Sequence, residues 1–162
     1  MTISVNDQGS HLEFSFDDLM RYHGPGSPGG VAHAYKVMER SFPLLAPVER
    51  SQITIHTAFG GPGARDGFEL VSRAVTGGRY VLDPSLSRPD LGATREKFVF
   101  VVGQADVQVT CALREGFVKE EFVRLLATEP RNQTQAARLE VLKREMAERL
   151  MAHSAHLVYD VV

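Results

Sequence analysis

The chain has 162 residues, 43% hydrophobic and 23% charged, with a net charge of −2. That length and apolar content suit one domain with its own core, and a slightly acidic chain with no basic run longer than a dipeptide argues against a dedicated nucleic-acid binder. The single cysteine, Cys111, excludes an intrachain disulfide and any all-cysteine metal cage. With no charged-then-apolar leader and no apolar run near the roughly 20 residues of a membrane span, the expected location is the cytoplasm.

In chain order, residues 1–14 read as an irregular, loosely attached lead-in to a single domain over 15–162. Ser15-Phe16-Asp17-Asp18 fits a capping box with Asp18 at the fourth position, opening a short helix that Gly24 and Pro25 stop. A second helix is expected from about Gly30 to Phe42, with Val31, Ala34, Tyr35, Met38 and Phe42 at helical spacing and Pro43 and Pro47 ending it. Ser51 to Ala58 reads as a strand with Ile53 and Ile55 on one face and Thr54 and His56 on the other. A helix carrying Phe68, Leu70, Val71 and Val75 closes at Gly77-Gly78, and Arg79 to Leu82 is a short strand before a loop over Asp83 to Thr94. Lys97–Val102 and Asp106–Leu113 form an antiparallel hairpin about Gly103-Gln104-Ala105. Two helices follow, Phe117–Thr128 and Thr134–His153, the latter with i, i+4 pairs Glu140–Arg144 and Glu145–Arg149, and His156–Val162 alternates as a terminal strand. Helices and strands mix without strict alternation. The expected class is α+β: a mixed, mostly antiparallel sheet with helices packed on one face.

Chemistry, if present, belongs to two glycine-rich turns that each feed a helix: His23-Gly24-Pro25-Gly26-Ser27-Pro28-Gly29-Gly30 and Gly60-Gly61-Pro62-Gly63-Ala64-Arg65-Asp66-Gly67. Glycine lets backbone approach closely, and helix N-termini present free N–H groups to anions and metal-bound carboxylates. Candidate ligand-binding residues are His23, Ser27, Tyr35, Gly61, Gly63, Arg65 and Asp66. Each has an ordinary structural reading beside the functional one: a hydrogen-bonded turn histidine, a helix-dipole carboxylate at Asp66, a solvated Arg65. Gly60-Gly61-Pro62-Gly63 lacks the Lys-Ser/Thr ending of a P-loop and the spacing of a dinucleotide turn, and His-Glu-x-x-His, Gly-x-Ser-x-Gly and Cys-x-x-Cys motifs are absent. Cys111, in a strand-like run, reads as a small buried hydrophobe.

These turns resemble the formylmethanofuran dehydrogenase E-like family. Asp18-Leu19-Met20-Arg21-Tyr22-His23-Gly24 matches the segment leading into that family's His-Gly-His-x-Cys-Pro-Gly turn. Ala34-Tyr35-Lys36 matches a Gly-Tyr-Arg-like segment, and Gly63-Ala64-Arg65-Asp66-Gly67 matches Cys-x-x-Asp-Ala. Pro25 stands at the family's second histidine, and Ser27 or Pro28 and Gly63 stand at its cysteines, so only His23 and Asp66 carry over directly. The resemblance implies an α+β fold, a homodimer and a divalent-metal site at His23 and Asp66, to which His33, His56 or a second protomer would contribute. With the cysteines gone, stoichiometric zinc is not expected. Two functions follow: a domain binding a small ligand or metal at two converging glycine turns, or a non-catalytic dimeric accessory protein that has lost the metal site.

Overall fold

The computed structural model describes residues 1–162. It opens with a hairpin of β1 (Ile3–Asp7) and β2 (Ser10–Phe14), which corrects the irregular lead-in expected there. A two-residue turn with Gln8 at φ 50° and Gly9 at φ 84° joins the strands, the positive angles that match a right-handed hairpin twist. Ile3 and Val5 are 3% and 2% exposed, so the hairpin is part of the core. Its turn pair is Gln-Gly rather than the usual Asn-Gly, which is why the sequence signal is weak.

Helix α1 (Phe16–His23) starts on the expected capping box: Asp18 N–H donates to Ser15 Oγ at 3.1 Å, and Ser15 N–H donates to the Asp18 carboxylate at 2.8 Å. The Ser15 N–H bond, with the Ser15 hydroxyl beside it, holds the Asp18 carboxyl below its usual range. Helix α2 (Pro28–Leu45) begins earlier and runs further than expected, straight through Pro43. A proline this close to the end removes one backbone N–H, and burial of Phe42 and Leu45 holds the last turn against that loss. Every residue from Pro28 to Met38 is buried, which makes α2 the central helix.

The main sheet contains β3 (Thr54–Thr57), β4 (Tyr80–Leu82), β5 (Val99–Gln104), β6 (Val107–Leu113) and β7 (Tyr159–Val161), in the order β4-β3-β5-β6-β7. Only β3 and β4 are parallel. The β5–β6 turn falls on Ala105-Asp106, one step later than expected, because Gly103 and Gln104 pair with Gln108 and Val107. Between β3 and β4 lies α3 (Pro62–Ser72); it ends at left-handed Arg73 rather than at Gly77-Gly78. Helices α4 (Glu120–Leu126) and α5 (Gln133–Met151) follow, and α5 starts on a second capping box made by Asn132 and Gln135.

The terminal segment is half helix. Ala155–Val158 forms one turn, α6, before β7, so the strand expected from His156 is three residues long and lies at the sheet edge. It is not covered on both sides: Tyr159 is fully buried, while Val161 and Val162 are 39% and 65% exposed.

Alternation along the strands puts Ile55, Phe100, Val102, Val109 and Cys111 on the face toward α2, all buried. Thr54, His56, Val101 and Thr110 take the other face and are half-buried. The fold is therefore α+β, with a largely antiparallel sheet and α2 laid on it between α3 and α5. Cys111 is buried on the α2 side, where loss of solvent pushes its thiol up to about 12, the inert state of a core cysteine.

Two arginines close the C-terminus of α3. Arg50 donates to the carbonyls of Leu70 (2.7 Å) and Val71 (2.9 Å), and Arg79 donates to those of Ser72 (3.0 Å) and Arg73 (3.2 Å) as well as to Ile53. Cations there satisfy the helix's last carbonyls and oppose its dipole. Arg50 also pairs with Asp7 at 3.1 Å, tying the N-terminal hairpin to α3.

Candidate functional site

The two glycine turns meet because their glycines allow two helix starts to cross at backbone contact. A Cβ on Gly30 would stand 2.9 Å from Ala64 N and 3.2 Å from Gly63 Cα. One on Gly63 would stand 2.9 Å from Val31 N and closer still to the Ser27 carbonyl oxygen, and one on Gly67 would stand 2.9 Å from Ala34 Cβ. Gly30 and Ala34 on α2 thus oppose Gly63 and Gly67 on α3, two small residues four apart on each helix. Packing accounts for most of this glycine, where the sequence pointed to anion binding.

That crossing carries His23, at the end of α1, onto Asp66, in the first turns of α3. His23 Nδ1–H donates to the Asp66 carboxylate at 2.7 Å. The histidine side chain is 9% exposed and the aspartate 35%. A carboxylate only accepts, so the bond fixes a proton on Nδ1 and leaves Nε2 as the nitrogen away from Asp66. Nε2 is buried and has no hydrogen-bond partner. Buried polar atoms without partners are few in folded proteins, and a histidine oriented by a carboxylate through one nitrogen with the other free is a common arrangement in ligand and catalytic sites.

The other candidates are not brought to this point. Tyr35 is 2% exposed, and its hydroxyl donates to the Met1 carbonyl at 2.9 Å, so it anchors the chain's start rather than lining a pocket here. Arg65 is exposed and makes no ion pair with Asp66; its charge acts on Tyr80 instead. Ser27 is the N-cap of α2 but gives no side-chain cap bond; its backbone packs on Gly63. Gly61 is the N-cap of α3 and lies under the Phe59 ring.

His33 and His56 do not join His23 as metal ligands. His33 is fully buried between α2, α5 and β7: Nδ1 is 2.6 Å from Tyr159 Oη and Nε2 3.4 Å from Met146 Sδ. A thioether only accepts, so Nε2 bears the proton and Tyr159 O–H donates to Nδ1. The ring stacks on Phe98 at 4.3 Å, and Phe98 stacks on Phe59 at 4.5 Å. His56 stands on the sheet face opposite the one that packs on α2. No group of three or more His, Cys, Asp or Glu side chains converges closely enough to hold a metal ion. The donor set therefore does not fit a closed zinc site.

Sequence reasoning missed the arginine clasp on α3 and the buried pair of Lys36 and Glu39 on α2, 2.9 Å apart, because nothing in residue spacing marks them as buried. Comparison of the chain with models of protein families, with curated proteins and with solved structures finds no match.

Proposed function

We propose that this chain binds a small ligand at the junction of its two glycine turns, with His23 Nε2 as the atom that meets the ligand and Asp66 as the residue that orients it. The observation that carries this reading is the 2.7 Å Asp66 bond on one side of the ring together with an unpartnered, buried Nε2 on the other. The resemblance to the formylmethanofuran dehydrogenase E-like family selects the same two residues, which supports the reading independently of the geometry. Nε2 is covered by protein, so binding involves local displacement of the atoms over it. A metal would take at most these two side chains from the chain and its remaining ligands from elsewhere.

The test uses zinc alone as the probe. The purified protein is expected to hold well under one zinc per chain. Added zinc should shift the His23 ring nitrogen signals saturably, with no shift in His23→Gln. Asp66→Asn should weaken the effect about tenfold, the usual cost of losing the residue that orients a ligating histidine. Zinc that leaves His23 unmoved while diethyl pyrocarbonate also fails to modify it would overturn the reading, since Nε2 would then be closed to any small molecule.

A second reading, the dimeric accessory protein, draws on the sheet edges. The edge strands β4 and β7 leave Val81 40%, Leu82 54% and Val161 39% exposed, with Val162 just beyond β7 at 65%, and unpaired edges with apolar side chains favour association. Light scattering is expected to give twice the 17.9 kDa chain mass at micromolar concentration. A single-chain mass throughout that range would exclude the dimer.

A further inference from the structure

A cleft of about 380 Å³ lies between β1 and the C-terminal half of α2. Its rim is open: Thr2, His11, Pro43, Ala46 and Pro47 are all exposed. Its floor is closed, with Ile3, Val5 and Met38 only 3%, 2% and 0% exposed. The floor therefore offers a ligand little, and the chemistry of the cleft lies in its wall, the free edge of β1.

Asp7 and Ser10 flank the hairpin's two-residue turn, so Asp7, Val5 and Ile3 exchange ladder bonds with β2. The alternate residues Asn6, Ser4 and Thr2 turn their N–H and C=O groups the other way. Asn6 N–H is taken, donating to the Val48 carbonyl at 2.7 Å, whereas the backbone N–H and C=O of both Ser4 and Thr2 have no protein partner. Beyond Thr2 the edge is closed again, because the Met1 carbonyl accepts from the Tyr35 hydroxyl. The side chains of Thr2 and His11 do not compete for these groups. Both turn to Glu13: Thr2 Oγ1 donates to its carboxylate at 3.2 Å, and His11 Nε2 lies 3.7 Å from it.

The wall thus presents two donor–acceptor pairs two residues apart, about 6.8 Å along an extended chain. A lone amide meets only one of them. An extended backbone repeats at that spacing and meets both, which is how a strand adds to a sheet edge. In the antiparallel arrangement three residues satisfy all four groups: the first exchanges both bonds with Ser4, the third with Thr2. The middle residue stands opposite Ile3 and shares its face toward α2. With Ile3, Val5 and Met38 closed, that position takes only a small side chain. It needs no charge, since Lys36 Nζ already balances Glu39 at 2.9 Å. Glu39 lines the cleft and keeps a buried Oε2 without a donor, so serine suits the position better than alanine.

We propose that the outer edge of β1 docks an extended peptide segment of another protein. The segment pairs antiparallel with Thr2 and Ser4 and carries a small uncharged residue, serine by preference, opposite Ile3. This site is independent of His23 and Asp66 and of the sheet edges at β4 and β7.

The experiment is an amide NMR titration of the full chain with acetyl-Val-Ser-Val-N-methylamide. Saturable shifts are expected, centred on Thr2 to Ser4 and Ala46, with slowed hydrogen exchange at the Ser4 amide. Methylating the backbone nitrogen of the third peptide residue should weaken binding at least tenfold, about the value of one buried hydrogen bond. Phenylalanine in the middle should cost a similar factor. Ser4→Pro removes an N–H that β2 does not use and should lose as much, while His23→Gln should bind the peptide like the parent chain. The peptide series is run on the unaltered chain, so the test stands even where Ser4→Pro disturbs folding. Equal binding of the methylated or the phenylalanine peptide, or shifts centred away from β1, would overturn the proposal. So would a dimer that ignores the peptide and that Ser4→Pro returns to a single-chain mass, since a second copy would then own this edge.

Discussion

Replacing Gly63 by alanine is expected to destabilise the fold by about 3 kcal/mol, the upper part of the usual range for overpacking a rigid site. The added methyl has nowhere to go. It would meet the Ser27 carbonyl oxygen and Val31 N at 2.9 Å, both of them backbone atoms of α2 and its cap, and Ser27 Cβ at 3.0 Å. No rotamer change relieves a clash with backbone, so α2 and α3 must separate. That separation would loosen Gly30 from Ala64 and carry Asp66 away from His23. Gly26 is the internal control: it lies in the first glycine turn, and a Cβ there meets nothing within 4 Å. Gly26→Ala should stay within about 0.5 kcal/mol of the parent chain. Urea unfolding measures both. A Gly63→Ala midpoint equal to that of Gly26→Ala would mean that the two helices do not cross at backbone contact.

Stability is expected to fall as the pH is lowered from about 6.5 toward 4.5, and His33 is the cause. Burial with no charged partner depresses its ring from 6.5 to about 3. Between those values the unfolded chain takes up a proton that the folded chain refuses. Proton uptake is then greater in the unfolded state, so stability rises with pH across the window and is lost as pH falls. The slope is about 1.4 kcal/mol per pH unit for one proton. The carboxyls with depressed values, Asp18, Glu69, Asp83, Asp90 and Glu121, also lose stability in acid. Their unfolded values lie near 4, so their contribution enters only at the acid end of the histidine window, and the slope between pH 6.5 and 5.5 reports His33 most cleanly. Unfolding free energies at pH 6.5, 5.5 and 4.5, in the parent chain and in His33→Leu, isolate the effect. The substitution costs stability at every pH through the lost Tyr159 bond, so the slope, not the absolute value, is the readout. An unchanged slope in His33→Leu would show that another group carries the acid sensitivity.

Short-range rules account for much of the fold. Ser15 with Asp18 set the start of α1, because capping is a bond between residues three apart and needs no tertiary partner. The apolar spacing of Leu139, Leu142, Met146 and Leu150 set α5, and the alternation of Ile53 and Ile55 set the inward face of β3. The meeting of His23 with Asp66 was also legible, since both glycine turns lead into helices and dense glycine marks close approach.

Elsewhere long-range burial overrides a local signal, and there the sequence alone misleads. Pro43 marks a helix end, yet α2 passes through it because Phe42 and Leu45 reach the core. The first residues look irregular, yet Ile3 and Val5 are buried and the hairpin closes against Val48 and Arg50. Gly77-Gly78 reads as a helix cap, yet α3 stops at Arg73, where Arg50 and Arg79 take its last carbonyls from outside the helix. His33 shows the rule most clearly. In sequence it is one more polar residue beside a glycine turn. In the fold, Tyr159 and Met146, 126 and 113 positions away, occupy both ring nitrogens and make it part of the core. Local spacing sets which residues can share a face, but which polar atoms find partners depends on the packing of segments far apart in the chain, and that alone left His23 Nε2 without one.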